Sequence, residues 1–504
     1  MSVEMERKKR LQAPCNRDCP GGVDVPRYMG LVADGRFSEA AAVVRERIPF
    51  PSVCGLVCYR PCESGCRRTT MDAAVAVNAV KRAAVEHGSD EAWRRDWDKT
   101  IAPDTGKRVA IIGAGPAGLT AAYYLGKRCG HDVTVFDLLD EPGGQLVKGI
   151  PEYRLPRAVL DKEIGVITEK RVEIRCSTRI ENPVTLLDDG YDAVFLATGA
   201  GDPRPIGLPG EDLPAVQDCV EFLTRALMGK APEIGRRVVV VGGGNVALDG
   251  ARTARRMDRR DVTIVYRRGR TEMPAHDFEL VEAEIEGIKL LFLSNPVAFA
   301  ETPGGLEITL DRMVLGEPDD SGRRRPQASG ERFTLEVDTV LNAIGQVATV
   351  PAEWGLKLDD GGWLIVDKES MATSKDGVYA GGDVFTGPLN VIEAIASGRR
   401  AAESIDKYLG GTGDITEQFL LDADAGMEMP AEIMPQGADR TPMQEIEPED
   451  RLDGFRQVEL GLTTVEAIRE AQRCLRCDLW KIAGVPSAWP KGKKAEKRSP
   501  APTG

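Results

Sequence analysis

Two kinds of residue in this chain have the types and spacing for chemistry: cysteines and glycine-rich turns. Near the C-terminus, "EAQRCLRCDLW" carries Cys474-x-x-Cys477, and the preceding cysteine, Cys219, lies about half the chain away. Near the N-terminus, Cys15-x-x-x-Cys19-Pro20 matches the second half of a bacterial ferredoxin run, C-x₂-C-x₂-C-x₃-C-P, whose first half is absent upstream. The C-terminal pair supplies that half, so the two ends of the chain are expected to meet. Cys54, Cys58, Cys62 and Cys66 recur every four residues, which brings the total to eight, enough for two [4Fe–4S] centres with four ligands each. In ferredoxin runs the fourth cysteine serves the other cluster. That rule puts Cys474, Cys477, Cys15 and one of the 54–66 set, nominally Cys66, on one centre, and Cys19 with the remaining three on the other. The rival occupant is structural zinc, which also takes four cysteines. Cys129, Cys176 and Cys219 are left over and read as core thiols.

The glycines supply the reason to prefer iron. Gly113-x-Gly115-x-x-Gly118 follows the apolar run "RVAII" and opens a helix, and Asp137 follows about twenty residues on, after "VTVF". The first glycine makes the turn, the second admits a pyrophosphate, and the third lets helix and strand pack. A second unit reads Gly242-x-Gly244-x-x-Ala247, and the position matching Asp137 is Tyr266, followed by Arg267 and Arg268. An acid accepts from a ribose 2′-hydroxyl and repels a 2′-phosphate, whereas arginine pairs with phosphate in a planar fork. The first site therefore suits FAD and the second NADPH, with NADH possible; the alternative is that both arginines are simply solvated. Zinc cannot pass electrons, and "EPGGQLVKGIPEYRLP" lacks the cysteine couple of flavoprotein disulfide reductases, so electrons need another exit. "VFLATGA" and "VLNAIGQ" read as crossings between units, and "GVYAGGDVF" sets Asp383 beside paired glycines. The full set nominated for nucleotide contact adds Pro116, Ala117, Gly144, Gln145, Thr198, Gly199, Asn245, Val246, Gly345, Gly382 and Val391. His87, His131 and His276 are assigned surface or packing roles, since hydride transfer to a flavin needs no general base.

These residues require elements to hold them. Two strand–glycine turn–helix patterns in one chain mean two Rossmann-type units. A helical region precedes them, with helices expected over 28–48 and 71–86. Residues 300–335 read as hairpins and 390–409 as an amphipathic helix. A final helix leads into Cys474. The fold class is α/β: a helical iron–sulfur domain (1–100), then an FAD domain (105–234 and 346–410) interrupted by an NAD(P) domain (235–345). A strap (411–480) returns the last cysteines, and a disordered tail (481–504) follows. At 504 residues, several domains are expected. A net charge of −13 excludes a general nucleic-acid binder. The first ten residues are charged rather than apolar, and no run reaches the ~18 apolar residues of a membrane span. A cytoplasmic protein follows, and its cysteines read as metal or redox groups rather than disulfides.

Taken together, "CNRDCPGGVDVPRYMGLVADGRF", "PFPSVCGLVCYRPCESGCRR", "VAIIGAGPAGLTAAYYL", "VVVVGGGNVALDGARTA", "YRRGRTEMPA" and "GVYAGGDVFTGPLNVIEAIASGRRAA" resemble the glutamate synthase small-subunit family. The N-terminal part of dihydropyrimidine dehydrogenase and the large subunit of NADH-dependent ferredoxin:NADP oxidoreductase share it. The resemblance covers about residues 11–410 and the Cys474 tail. It implies electron passage between NAD(P)H, FAD and two clusters, to or from a partner that is ferredoxin-like or a larger enzyme subunit, within a hetero-oligomer. It assigns Gly113, Gly115, Gly118, Asp137 and Asp383 to FAD, and Gly242, Gly244, Asn245, Arg267 and Arg268 to NADPH. The chain departs from the family in lacking the usual N-terminal "CLxC". Where some members place a Glu or Gln cluster ligand, it offers Lys81, so Cys54 is the expected fourth ligand. The rival readings are the glutamate synthase small subunit itself, which needs an amidotransferase partner, and a zinc-stapled NAD(P)-binding scaffold.

Overall fold

The structure, a computed structural model, describes residues 12–479 except 96, 231, 259, 320–321, 421–425, 427 and 429–436. The expected tail, 481–504, lies outside the described residues.

The first region is helical: α1 (Pro14–Arg17), α2 (Val25–Ala33), α3 (Phe37–Arg45), α4 (Pro51–Val57), α5 (Pro61–Ser64) and α6 (Val77–His87). The single helix expected over 28–48 is two helices. Gly35 takes φ +75°, and the amides of Gly35 and Arg36 bond back to the Val32 and Leu31 carbonyls, a Schellman stop. The helix expected from residue 71 starts only at Val77. The preceding turn is captured by the C-terminal segment: Ala76 donates its amide to Glu470 Oε1 (2.7 Å), and Arg473 pairs with Asp72 (3.0 Å).

Two parallel sheets follow. The first comprises β1 (Arg108–Ile112), β2 (Asp132–Phe136), β3 (Val172–Arg175) and β4 (Ala193–Leu196). The second comprises β5 (Val216–Asp218), β6 (Arg237–Val241), β7 (Asp261–Tyr266) and β8 (Lys289–Phe292). It is followed by an antiparallel meander, β9 (Ser294–Thr302), β10 (Gly305–Pro318) and β11 (Arg324–Val337). The chain then adds β12 (Thr339–Asn342) to the second sheet and β13 (Val378–Ala380) to the first. The orders are β13-β4-β1-β2-β3 and β5-β12-β6-β7-β8, the same doubly wound plan twice, the second unit inserted between β4 and β13. The central strands "RVAII" and "RVVVV" are buried on both faces: helices cover one, and the other lies under the meander in the second sheet and under residues such as Trp354 and Leu364 in the first. Asp202–Pro203 pairs with Gln346–Val347, so the two linkers between the units run side by side.

Helix α7 (Pro116–Tyr123) follows β1, α8 (Asn245–Arg256) follows β6, and α9 (Val391–Tyr408) packs across α7. That crossing is close because Gly398 lies on the Ala117 carbonyl, where a β-carbon would collide. The C-terminal segment forms β14 (Gln444–Glu445), β15 (Glu459–Gly461) and α10 (Thr464–Ala471), the last opened by a Thr463/Glu466 capping box. The helical region and the first nucleotide unit share one hydrophobic core, which also takes in Phe419, Ala467 and Ala471. Among the described residues, no helix is long and apolar enough to cross a membrane.

Candidate functional site

The two glycine turns superimpose in their physics. After β1, Gly113 takes φ +106° against the Ala197 carbonyl, and a β-carbon on Gly118 would overlap the Gly113 carbonyl oxygen. Gly115 differs: a β-carbon there would meet nothing within 4 Å, which is space left for a ligand. The second turn repeats this. Gly242 sits at φ +150° against the Ala343 carbonyl, and Gly244 faces the same emptiness. Neither α7 nor α8 has a side-chain cap, so no side chain competes for the amides at their N-termini, the arrangement that receives a pyrophosphate. Gly118→Ala is expected to yield protein with little FAD and a lowered Tm, because the obstructing atom is backbone and cannot yield. Flavin absorbance and a melting curve check it, with a cost of about 1–3 kcal/mol.

Residues distant in sequence converge on the first turn. A β-carbon on Gly144 would reach the Gly115 Cα at 3.0 Å, and one on Gly382 would reach the Ala117 side chain at 3.1 Å. Pro116 and Ala117 form the first turn of α7 behind them. Asp137 is fixed at the end of β2 by the amides of Ala114 (2.6 Å) and Leu139 (2.8 Å), which aims its carboxylate along the turn. Asp383 opens a short helix, and burial pushes its carboxyl up to about 6, against the opposing amide of Leu389. Gln145 donates to Gln346 Oε1 (3.3 Å) and so ties the flavin-side loop to the linker beyond Gly345. Thr198 is exposed, next to Gly199 at φ +72°, at the β4 crossing; Val391 is the first residue of α9, capped by Asn390.

On the second unit, Asn245 and Val246 begin α8, with Asn245 exposed. The two arginines part company. Arg267 is exposed and engages no partner among the described residues. Arg268 is buried, donating to the Arg324 carbonyl (2.9 Å) and pairing with Asp319 (2.8 Å) on the β10–β11 hairpin. The two guanidiniums expected at a ribose phosphate are thus placed differently: Arg268 is turned inward by that hairpin, and Arg267 is exposed.

The cysteines divide into two groups of four. Cys15, Cys66, Cys474 and Cys477 line one cavity of about 400 Å³, walled by Val25, Met29 and Val75. Burial, then mutual repulsion with Cys474 and Cys66, pushes the Cys15 thiol up. Cys474 and Cys477 are pushed up by burial to about 12 and about 11. Such thiols stay protonated unless a metal replaces the proton. The C-terminal pair is brought here by buried ties: Arg473 and Glu470 are 0% exposed, and Arg68 donates to the Arg473 carbonyl (3.3 Å). The second group, Cys19, Cys54, Cys58 and Cys62, surrounds Lys81 on α6. Burial pulls the Lys81 ammonium down, and the sulfurs of Cys58, Cys54, Cys62 and Cys19 more than offset it, so it ends above its usual value. A buried cation beside four cysteine sulfurs suits an anionic cluster. All eleven cysteines are free thiols, and the described residues contain no disulfide.

One junction was not legible in the sequence. Tyr59, next to Cys58, stacks on His276 of the second unit at 6.1 Å; His276 stacks on Phe278 at 5.6 Å, and Arg60 caps Phe278 at 4.5 Å. The helix just before Tyr59, α4, packs against α9 on the flavin side. The one available signal was an aromatic–basic pair inside a cysteine repeat, "CYRPC".

The family described as pyridine nucleotide-disulphide oxidoreductase matches residues 107–398, more than half the chain. The chain belongs to this family. A second family, dihydropyrimidine dehydrogenase domain II with a 4Fe-4S cluster, matches residues 7–93, which replaces the zinc reading of the cysteines with iron–sulfur. The β subunit of an NADP(+)-dependent formate dehydrogenase from Moorella thermoacetica is 41% identical over 512 residues, covering 93% of this chain and 71% of that protein. The β subunit of an NADPH-Fe(3+) oxidoreductase from Geobacter sulfurreducens is 37% identical, covering 94% and 76%. The glutamate synthase [NADPH] small chain of Halomonas elongata is 36% identical, covering 78% and 88%. Among solved structures, Mycobacterium tuberculosis FprA in complex with NADPH matches with a TM-score of 0.51 at 25% identity, covering 60% of this chain and 85% of that one. This chain is thus an electron-transfer oxidoreductase of the FAD- and NADP-dependent iron–sulfur type, and the relatives named as β or small chains are subunits of larger enzymes. Its departure from the family's name is chemical: no cysteine couple follows the flavin-side glycines.

Proposed function

We propose that this chain is the NADPH-facing subunit of a cytoplasmic hetero-oligomer, and that it exchanges electrons with a partner subunit through two [4Fe–4S] clusters. FAD, when bound, would supply acceptance of a hydride from NADPH as an electron pair, and the clusters would supply single-electron transfer. The chain's own residues do the rest. The α7 and α8 amides bind pyrophosphates, Asp137 holds a ribose, Arg267 selects the 2′-phosphate, and Cys15, Cys66, Cys474 and Cys477 hold the outer cluster. Cys19, Cys54, Cys58 and Cys62 hold the inner one.

The observation that carries this reading is the Tyr59 junction. The loop bearing Cys58 touches the nicotinamide-side unit through His276, and α4, the helix leading into it, packs against α9 of the flavin-side unit. The inner cysteine group therefore lies beside both nucleotide units, and the outer group continues from it, since Cys15 also feels Cys62. Purifying the native complex tests the proposal. A partner subunit, with about eight irons on this chain, supports it; a lone chain that holds zinc in place of iron at its eight cysteines defeats it. A large partner with glutaminase activity would make this chain a glutamate synthase small subunit.

Lys81 supplies a second test. Lys81→Met removes positive charge facing the inner group, so the oxidised cluster is favoured and its midpoint should fall. About a tenfold change in the reduction equilibrium is expected, ~59 mV for one electron. EPR-monitored titration reads it, with the outer cluster as internal control.

A further inference from the structure

Cys129, read from sequence as an inert core thiol, stands in a cluster with other chemistry. Its Sγ, a ring nitrogen of His131 and a carboxylate oxygen of Asp406 all lie within 4.8 Å of one another. The three residues are 7%, 1% and 6% exposed. They come from the β1–β2 crossover and the end of α9, at the edge of the first sheet remote from the glycine turn. An open cleft of about 640 Å³ adjoins them, lined also by Thr105, Lys107, Arg128 and Gly411.

The surrounding bonds fix which atoms face inward. The Thr105 hydroxyl donates to the Gly130 carbonyl (3.2 Å) and lies 2.7 Å from His131 Nδ1, a contact whose donor is set by the imidazole tautomer. His131 Nε2 lies 3.0 Å from Asp406 Oδ1. The other oxygen, Oδ2, is held by the Gly413 amide at 2.7 Å. In the tautomer with the proton on Nδ1, the Nε2 lone pair and Asp406 Oδ1 face one another as two acceptors, a place for a cation. Metal-ligating histidines are held in this way, the second nitrogen tied to a fixed partner. The 3.0 Å separation approaches the edge of a zinc tetrahedron, about 3.3 Å for bonds of 2.0–2.1 Å.

Charge favours a metal over a proton. A thiolate and a carboxylate carry two negative charges, which one divalent cation neutralises in a buried place. The nearby charges balance among themselves: Lys107 pairs with Asp192 at 2.9 Å, and Arg128 is set against Asp414.

We infer that Cys129, His131 and Asp406 form a site for one zinc-class divalent ion, with its fourth position open to the cleft. Binding exchanges the Cys129 thiol proton for metal and releases that proton to water. The site joins the linker at Thr105, the first nucleotide unit, and the root of the C-terminal segment at Gly413. Its occupancy would therefore fasten the segment that carries Cys474.

The test uses the full-length holoenzyme, stripped of loose metal and equilibrated with zinc chloride. Zinc and iron are measured together. One zinc per chain with iron unchanged is expected, along with protection of Cys129 from alkylation by mass spectrometry and a Tm raised by a few degrees. Cys129→Ser and Asp406→Asn should each weaken zinc binding at least about tenfold. Should a variant fold poorly, alkylation of the unaltered chain with and without zinc decides by itself. Equal Cys129 alkylation with and without zinc, or zinc uptake only as iron is lost, overturns the site and leaves a proton on His131 Nε2 as the occupant.

Discussion

Cys474→Ser with Cys477→Ser is expected to lower bound iron from about eight to about four per chain, while FAD stays in place. The reason is the partition of the sulfurs. The two C-terminal cysteines are half of the group around the outer cavity and none of the group around Lys81. The fold should survive, because Glu470 and Arg473 still anchor α10 to residues 72–76. NADPH-driven reduction of an artificial two-electron acceptor should persist, since the glycine turns are untouched. Delivery of electrons to the partner subunit should fall by at least about a hundredfold, the outer cluster being the exit in this reading. Iron and sulfide analysis with EPR reads the first effect, and a partner-coupled assay the second. Unchanged iron would mean that the chain's ends do not jointly hold a cluster.

Arg267→Ala should lower kcat/KM for NADPH by about 30-fold to 100-fold and leave NADH nearly unaffected. That loss corresponds to a charge-assisted phosphate contact of about 2–3 kcal/mol. Arg268→Ala should do the reverse, keeping the NADPH preference and costing stability. It strands Asp319, which is partly solvated, so about 1–2 kcal/mol is expected rather than the cost of a fully buried pair. Paired kinetics with both nucleotides and a melting curve separate the two. Equal loss for NADPH and NADH in the Arg267 variant would remove it from the 2′-phosphate.

The arginine pair shows where reading the chain stops. "YRR" after a second Rossmann strand gives two candidates, and side-chain type cannot tell them apart. The β10–β11 hairpin, more than fifty residues on, takes one of them. The helix expected from residue 71 failed for the same reason: Glu470 and Arg473, about 400 positions away, bind the turn that propensity would have coiled. Lys81 was visible only as an odd residue at a ligand position, and the four sulfurs around it came from folding.

What the chain specified alone was local. A glycine at positive φ, a missing β-carbon where a pyrophosphate must pass, an acid or an arginine ending the second strand: each is decided within about thirty residues of backbone, so each is written in order. The tertiary structure decided how eight cysteines divide into two groups, which arginine remains in solvent, and how Tyr59 and His276 meet. Those are contacts between segments separated by tens to hundreds of residues, made by burial and charge pairing that no neighbouring residue announces.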